Sequence, residues 1–439
     1  MRFLPSLVAL ISWRAVGAVV VILERIVLAA VLGPSQLGAF GLATGTVSIL
    51  SRWLSFGAGP AAQFVGGRGQ APERSARSVL ALAVGIGSVA GAVSWLALPV
   101  LDRLVFSGQP AGFEIFRRLQ PWLPVVVVGM AMSLFLLGRG RLRVYGLLQV
   151  LPEAGFLAVL LVGWAIGLGV AGAVIGQVVA WATLLIGALV GGWTLWGRGA
   201  VDARIVREVA AYGVRSWPLV MLQFGIARIA LLVGARFVSA EALGYYVLAS
   251  GLADALTIIP SLAAQLVFNA TSGARDGVRD LAFRVIRLST WGLLVGGVVI
   301  AVVGKPFFIL AFGSRFEPAW ALMVILLGTT VTRGVLSLQL AFLSGRGRPG
   351  KSNYSQVTEL VLLLVLVPIA AGRFGATGMA AAAVAASAVG VLVASLLVTR
   401  LEGIRIGDLL LVRRDDLVAV RRRMAEMLGR RVVGATHAD

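Results

Sequence analysis

Arginine residues inside apolar stretches are the residues in this sequence best suited to chemistry. A guanidinium group stays charged even when partly removed from water, and its planar fork matches the oxygens of a phosphate. Several such groups around one space would bind a diphosphate. The candidate substrate-binding arginines are Arg14, Arg25, Arg52, Arg215, Arg228 and Arg333.

Helical geometry brings two of these arginines together. Arg14 and Arg25 are eleven residues apart, so at about 100° per residue they fall roughly 20° apart on one helix face. Ionisable groups in a membrane-spanning helix are costly and usually face a bundle interior or a water-filled cavity. The spacing therefore predicts a hydrated, positively charged cavity inside the bilayer.

A structural role is the alternative for some of these arginines. An arginine near a helix end extends its charge to the lipid headgroups or pairs with a neighbouring acid, and Arg215 lies at the predicted start of its helix. Arg25 and Arg228 occupy equivalent positions in an internal repeat, so a shared structural role competes with substrate binding.

Hydroxyl side chains form a narrow stripe on the second apolar segment. Its members fall within about 60° of one another around a helix: Thr44, Ser48, Ser51 and Ser55. The repeat offset of 206 residues maps these positions onto a second polar set: Ser250, Asp254, Thr257 and Ser261. We expect these faces to hydrate sugars, with the following as substrate-binding residues: Ser48, Ser51, Ser55, Thr257 and Ser261.

Four carboxylates also lie within apolar segments, namely Glu24, Glu153, Asp254 and Glu359. A carboxylate inside the membrane can carry a proton or a sodium ion and couple it to transport. Charge balance is the alternative, because Glu24 adjoins Arg25 and Asp254 is placed to neutralise an arginine. We expect coupling to H⁺ or Na⁺ at these residues, and no other cofactor.

The remaining inventory excludes several classes of chemistry. The chain has no cysteine, and its single histidine, His437, lies near the C-terminus. Thiol nucleophiles, cysteine metal sites and histidine acid–base catalysis are therefore absent. We expect neither a catalytic residue nor a metal site, and hence no enzyme.

Composition indicates an all-α polytopic membrane protein. Of 439 residues, 59% are hydrophobic and only 13% charged, whereas a soluble domain is nearer half apolar and a quarter charged. Apolar runs of about 18 residues or more can cross a hydrocarbon core of roughly 30 Å. We predict about twelve spans, at 8–32, 37–65, 77–100, 116–138, 143–166, 170–196, 210–236, 240–270, 281–304, 317–344, 353–373 and 375–401.

The arginines between spans predict the orientation. Alternate loops collect most of the net charge of +20, and such loops are cytoplasmic in multi-pass proteins. This places both termini on the cytoplasmic side of a bacterial inner membrane. The charge then indicates attraction to anionic lipid rather than to nucleic acid. We also expect a retained first helix, because Arg14 interrupts a signal-like run, and a basic tail on the inner leaflet.

An internal repeat organises the chain. Four segment pairs match in order, at offsets of about 203, 206, 202 and 207 residues: those beginning at Arg25 and Arg228, Leu37 and Leu243, Ala61 and Ala263, and Gly138 and Gly345. Six crossings return a chain to its starting side, so the repeats are parallel. We predict two six-helix lobes, 1–200 and 201–402, a tail at 403–439, and a substrate cleft between the lobes.

Three motifs carry a resemblance to a known family: Val31-Leu-Gly-Pro-Ser-Gln-Leu-Gly-Ala-Phe, the paired Gly-Arg-Gly-Arg loops at Gly138 and Gly345, and Ala242-Leu-Gly-Tyr-Tyr. The chain resembles the Wzx-type polysaccharide flippases of the multidrug/oligosaccharidyl-lipid/polysaccharide exporter superfamily. The resemblance implies a V-shaped pair of bundles around a cationic cavity. Many relatives have an acidic residue where this chain has Arg228, which weakens the case for ion coupling through that helix.

The function implied is flipping of undecaprenyl-diphosphate-linked oligosaccharides, for O-antigen or exopolysaccharide assembly, by alternating access. The expected partners are this lipid-linked glycan, the bilayer and other polysaccharide-assembly proteins, with the chain itself a monomer. A cation-coupled drug exporter of the same superfamily is the nearest rival, although it would favour an acidic cavity. A glycan polymerase or ligase is a second rival, but such enzymes need a sizeable outer loop, and the outer loops here are short.

Overall fold

The computed structural model describes residues 3–68, 72–196, 199–272, 278–346 and 348–416. Within these ranges the backbone is almost entirely helical and contains no β-strand. The helices of the first half are α1 Phe3–Trp53, α2 Ala58–Gly67, α3 Pro72–Leu96, α4 Leu98–Leu104, α5 Pro110–Leu119, α6 Leu123–Gly138, α7 Leu142–Leu148, α8 Leu151–Ala165, α9 Val170–Gly191 and α10 Trp193–Trp196. Those of the second half are α11 Ala203–Gly234, α12 Ala240–Leu256, α13 Ile258–Ser272, α14 Val278–Phe312, α15 Glu317–Gly345, α16 Pro349–Glu402 and α17 Ile406–Leu410.

Helix lengths confirm a multi-pass membrane protein. Nine helical stretches in the described residues are long and apolar enough to cross a bilayer. Two of them, Val16–Trp53 and Asn353–Glu402, contain a backbone break and are long enough for two crossings each. The pair α12 and α13, individually shorter than 18 residues, covers the predicted span 240–270. These helices supply the predicted set of about twelve crossings.

The breaks inside the two long helices α1 and α16 lie at glycines, at positions where the sequence predicts turns. Gly33 has φ 69° and ψ 174° and is followed by Pro34, which lacks an N–H for the helical ladder. Gly375 has φ 59°, at the predicted junction between spans 353–373 and 375–401. Positive φ is accessible to glycine at little cost, so both breaks are encoded locally.

Two predicted spans were wrongly drawn as continuous. The span 37–65 is interrupted by a turn between Trp53 and Ala58, in which Phe56 has φ 46° and Gly57 has φ 72°. A Cβ on Gly57 would lie 2.2 Å from the carbonyl oxygen of Gly213 on α11. Close packing on α11 therefore holds this turn. The repeat-related span breaks in the same region, between α12 and α13.

The chain contains two compact units, both discontinuous in sequence. The first comprises Met1–Ala255, Pro306–Leu326 and Leu360–Ala383. The second comprises Leu256–Lys305, Leu327–Glu359 and Val384–Asp439. Buried cores include Phe135 and Met132 in the first unit and Phe283 and Phe342 in the second. The division into lobes at 1–200 and 201–402 stays a prediction.

Within the first unit, α1 and α12 cross at van der Waals distance. A Cβ on Gly38 would lie 2.2 Å from the carbonyl oxygen of Ala240, and one on Gly244 would lie 1.8 Å from that of Pro34. Only glycine permits two backbones to approach this closely. This crossing fixes the second half of α1 against α12.

Arg315 supports the break in α1. Its Nη2 donates hydrogen bonds to the carbonyl oxygens of Ala29 at 2.7 Å and Ala30 at 2.9 Å. A proline within a helix leaves carbonyl groups of the preceding turn without their usual donors. Arg315 supplies donors at that point, so the backbone on the N-terminal side of the break is satisfied.

The segment after α16 is attached to the second unit by a buried ion pair. Asp416 is 1% exposed and accepts hydrogen bonds from Nε of Arg287 at 2.6 Å and from its Nη2 at 2.8 Å. Arg284 adds a contact of 3.2 Å. The rest of the predicted tail, from residue 417, lies outside the described residues.

Candidate substrate cavity

A polar cavity of about 440 Å³ lies inside the first unit. Its walls come from α1, α6, α7, α8, α9, α11 and α12. Charged and polar side chains on these walls are Glu24, Arg25, Thr44, Ser48, Ser51, Arg52, Ser133, Tyr145, Gln149, Glu153, Gln177, Arg228 and Ser250. Such a set inside membrane-spanning helices is costly unless it serves a ligand or an ion.

Three of the six candidate arginines meet in this cavity. Arg25 and Arg52 lie on α1, and Arg228 lies on α11. The buried Nε atoms of Arg25 and Arg52 have no hydrogen-bond partner among the described residues. Because a buried N–H without an acceptor is unfavourable, these two groups are suited to receiving an anionic oxygen.

Aromatic and backbone contacts position Arg52. Its guanidinium carbon lies 3.6 Å from the ring centroid of Phe224, a cation–π geometry. The helix end that carries it is held by Trp217, whose Nε1 donates to the carbonyl oxygen of Trp53 at 2.6 Å. Trp53 in turn donates from its Nε1 to the carbonyl oxygen of Met221 at 3.2 Å. Arg52 is therefore oriented by α11 as well as by its own helix.

An ion pair with Asp254 offsets the positive charge of Arg228. Its Nη1 lies 3.5 Å from Oδ2 of Asp254, with side chains 35% and 40% exposed. Asp254 itself is not among the residues that line the cavity. The charge-balance alternative for this carboxylate therefore has a direct geometric basis.

Two carboxyl groups share the cavity with the arginines. Glu24 is 6% exposed, and its Oε2 has no hydrogen-bond partner among the described residues. Glu153, on α8, lines the same cavity. A carboxyl group inside a membrane-spanning bundle can carry a proton, so these two residues are candidates for ion coupling.

The predicted hydroxyl stripe lies partly on the cavity. Thr44, Ser48 and Ser51 line it, and Ser250 joins them from α12. The Ser51 hydroxyl donates to the carbonyl oxygen of Ser48 at 2.9 Å. Because such back-bonding uses the hydroxyl proton, the Ser51 oxygen is left as a hydrogen-bond acceptor.

The other predicted site residues lie elsewhere. Ser55, Thr257 and Ser261 are not among the lining residues, and Ser55 donates to the carbonyl oxygen of Arg52 at 2.8 Å. Arg215 is exposed on α11. The side chain of Arg14 lies outside the described residues.

Arg333 belongs to the second unit and has an acidic partner. Its Nε lies 3.4 Å from Oε1 of Glu359, whose side chain is only 1% exposed. A carboxylate buried this deeply is costly without a counter-charge. The geometry supports charge balance for both residues within the second unit.

Several cavity residues were not predicted from the sequence. Tyr145, Gln149, Gln177 and Ser133 line the cavity, and Phe224 contacts Arg52. A detectable signal existed for Gln177, a polar residue in the otherwise apolar run of α9. Phe224 carries no such signal, because its role depends on a contact between helices.

Comparisons with sequence families give no match, and no curated protein matches the chain. Solved structures do match. An inward-facing multidrug resistance MATE family transporter of the MOP superfamily gives a TM-score of 0.69 at 18% identity, covering 89% of this chain and 95% of that chain. The lipid II flippase MurJ, in an inward closed conformation, gives 0.74 at 14% identity, covering 92% and 89%.

A third structure is a MOP superfamily transporter from Pyrococcus furiosus, described by reverse polarity of its binding pocket. It gives a TM-score of 0.56 at 17% identity, covering 92% of this chain and 96% of that chain. At identities this low, the likeness is one of fold. The chain therefore has the all-helical membrane fold of solved MOP superfamily transporters.

Proposed function

We propose that the protein flips a polyprenyl-diphosphate-linked oligosaccharide from the cytoplasmic to the outer leaflet of a bacterial inner membrane. The observation that carries the proposal is the convergence of Arg25, Arg52 and Arg228 on one polar cavity within membrane-spanning helices. The finer assignment, to a Wzx-type flippase of surface polysaccharide assembly, rests on the sequence resemblance.

Charge and size both support a diphosphate-linked substrate. Arginine forks bind phosphate oxygens bidentately, and the low dielectric around the cavity strengthens that attraction. A volume of about 440 Å³ is within the usual range of roughly 300–1,000 Å³ for small-molecule sites. The diphosphate would contact the arginines, and the hydroxyl and amide groups would contact the first sugar.

The mechanism requires movement of helices but no covalent step. Binding of the headgroup would occur with the cavity open to the cytoplasm, and release would follow its opening to the other side. The arginine-rich loops support this orientation, with both termini cytoplasmic. The lipid chain would remain in the bilayer throughout, which avoids the cost of exposing it to water.

The carboxyl pair supplies a route for coupling. We propose that the carboxyl groups of Glu24 and Glu153 bind a proton on one side of the membrane and release it on the other as the cavity alternates. The proton gradient would then drive export. Sodium is the alternative ion, because carboxylate oxygens also bind cations. Replacement of Glu24 by Gln should abolish the dependence of export on the proton gradient without reducing diphosphate binding.

A cation-coupled multidrug exporter is a second candidate, favoured by the same carboxyl pair. Such a transporter would bind a cationic drug at Glu24 and Glu153, whereas Arg25, Arg52 and Arg228 would repel it. Drug accumulation in cells with and without the protein separates the two functions. Drug efflux that requires Glu24 but not Arg52 would favour the exporter.

The test of the flippase proposal is replacement of Arg52 by Ala and by Lys in cells that depend on the protein for surface polysaccharide. Export at matched protein levels should fall about ten-fold or more in Arg52→Ala, since a charged contact to phosphate is worth about 1.5–3 kcal/mol. Arg52→Lys should retain part of the activity, because it keeps the charge but loses the fork.

Arg215→Ala is the matched control, since Arg215 is an exposed arginine of α11 that does not line the cavity. It should leave export unchanged. Unchanged export in both Arg52 variants would remove Arg52 from the substrate role.

A further inference from the structure

A second, wholly apolar depression lies in the first unit, separate from the polar cavity. It has a volume of about 490 Å³, and its lining includes Phe56, Leu82, Gly85, Ile86, Val89 and Val201. We call it the α3 groove. All of its lining residues are apolar, in contrast to the charged walls of the cavity.

The groove begins at the connector that precedes α11. The connector is tied to the start of α3 by two hydrogen bonds, from the backbone N–H of Asp202 to the Ser78 hydroxyl at 2.9 Å and from Arg77 to the carbonyl oxygen of Gly199 at 2.7 Å. From this level the lining residues of α3 extend from Ala81 to Val89, a distance of about 12 Å along a helix axis. The groove thus runs from the basic end of α3 along its membrane-spanning part.

One backbone turn joins the groove to the cavity. Arg52 lies on the cavity wall and Phe56 on the groove wall. Phe56 is four positions after Arg52, so their Cα atoms are at most about 14 Å apart. The turn between Trp53 and Ala58 thus connects a residue of the cavity wall, Arg52, to a residue of the groove wall, Phe56.

The turn is held in a conformation that an ordinary side chain rarely adopts. Phe56 has φ 46°, a region costly for a non-glycine residue. Its ring packs against Trp217, with centroids 4.9 Å apart. This fixes the Phe56 ring at the groove while Arg52 faces the cavity.

We propose that the α3 groove holds the first isoprene units of a polyprenyl chain whose diphosphate lies at Arg52. This inference rests on the proposed function and names where the lipid part of that substrate binds. Two features select this occupant over a bulk phospholipid. The groove lining includes Phe56, only four positions after the cavity residue Arg52. The cavity arginines also attract a doubly charged diphosphate more strongly than a single phosphodiester.

Gly85 offers a specific way to fill the groove. A Cβ built on Gly85 would meet nothing within 4 Å, so the Leu side chain in Gly85→Leu starts in open space. Gly296 on α14 has the same open surroundings, belongs to the second unit and does not line the groove. Gly296→Leu is therefore the matched control for folding and for general effects on membrane insertion.

The experiment uses the full chain in nanodiscs and a polyprenyl diphosphate that carries a diazirine near its diphosphate end. After irradiation, the wild type should cross-link within the peptide that contains residues 81–89. Gly85→Leu should reduce this cross-link and weaken binding of the probe about ten-fold, because apolar contacts to the chain are lost. Binding of inorganic diphosphate should not change, and Gly296→Leu should behave as the wild type.

Three results would overturn the inference, and they differ in what they say about the proposed function. The first result is a cross-link outside residues 81–89, or a Gly85→Leu variant that binds the probe as well as the wild type does. If probe binding still depends on Arg52, either outcome would reject the groove and leave the flippase proposal intact. Equal competition by phosphatidylglycerol would show that the groove holds bulk lipid. If neither the polyprenyl diphosphate probe nor inorganic diphosphate showed binding that depends on Arg52, the proposed function and the groove would be rejected together.

Discussion

Arg228 and Asp254 form an ion pair at one side of the cavity, with Nη1 of the arginine 3.5 Å from Oδ2 of the aspartate. Both side chains are more than a third exposed, so the pair contributes little to stability. Its larger effect is on the electrostatic potential of the cavity. Asp254 reduces the positive charge that Arg228 presents to a ligand.

Removal of that carboxylate should therefore increase anion affinity. We expect Asp254→Asn to tighten binding of inorganic diphosphate by about three-fold or more, because a nearby opposing charge is lost. Isothermal titration calorimetry at low salt measures the effect. Glu114→Gln is the control, since Glu114 pairs with Arg118 on an exposed surface. Weaker binding by Asp254→Asn would contradict this electrostatic account.

Close packing of α1 on α12 predicts a strong effect of a single methyl group. Gly244→Ala would place a Cβ 1.8 Å from the carbonyl oxygen of Pro34, so the helices must separate. We expect a loss of about 1–3 kcal/mol in the free energy of unfolding, measured by thermal denaturation in detergent. Gly292→Ala, where a Cβ meets nothing within 4 Å, should change stability by less than about 1 kcal/mol. Equal effects would show that the crossing is loosely packed.

Arg315 should stabilise the break in α1. Arg315→Ala removes the donors to the carbonyl oxygens of Ala29 and Ala30, at a cost of about 1.5–3 kcal/mol for hydrogen bonds from a charged group. The expected readout is a lower Tm and faster hydrogen exchange around residue 33. Arg236→Ala, a change at an exposed arginine, should have neither effect. If both variants behave alike, Arg315 does not support the break.

The ion pair of Asp416 should control attachment of the segment 403–416. Asp416→Asn leaves the buried Arg287 without its counter-charge, and breaking a buried pair in this way costs about 3–5 kcal/mol. We expect the segment to become protease-sensitive while the membrane-spanning helices remain intact. Asp408→Asn removes an exposed contact to Arg413 and should have a much smaller effect. If the segment 403–416 were as protease-resistant in Asp416→Asn as in the wild type, the Asp416 ion pair would not be what attaches it.

The pH dependence of this attachment has a defined sign. Hydrogen bonds from Arg287 lower the pKa of Asp416 to about 2, below the ordinary value of about 3.9 expected in the unfolded chain. The stabilisation is therefore complete above about pH 4 and is lost as the pH falls towards 2. Hydrogen exchange of 403–416, corrected for intrinsic rates, should be constant from pH 8 to pH 5 and rise below pH 4. Loss of protection near pH 6 would contradict this.

Local chemistry made much of this architecture predictable. Apolar length and the Gly33-Pro34 pair predict the first helix and its break, and helical spacing with the repeat places Arg25, Arg52 and Arg228 among the cavity candidates. The turn before Ala58 was not predictable, because its positive φ values depend on packing against Gly213 of α11. The partner of Arg333 was also hidden, since the sequence does not reveal which of several carboxylates lies opposite it.

The most direct test of the central claim is translocation of a fluorescent polyprenyl-diphosphate disaccharide in proteoliposomes that contain only this protein. Wild-type protein should move the lipid between leaflets, and Arg52→Ala should slow that movement about ten-fold or more relative to Arg215→Ala. Equal rates for wild-type protein, Arg52→Ala and protein-free vesicles would contradict the claim that the arginine cavity carries a diphosphate-linked lipid across the membrane.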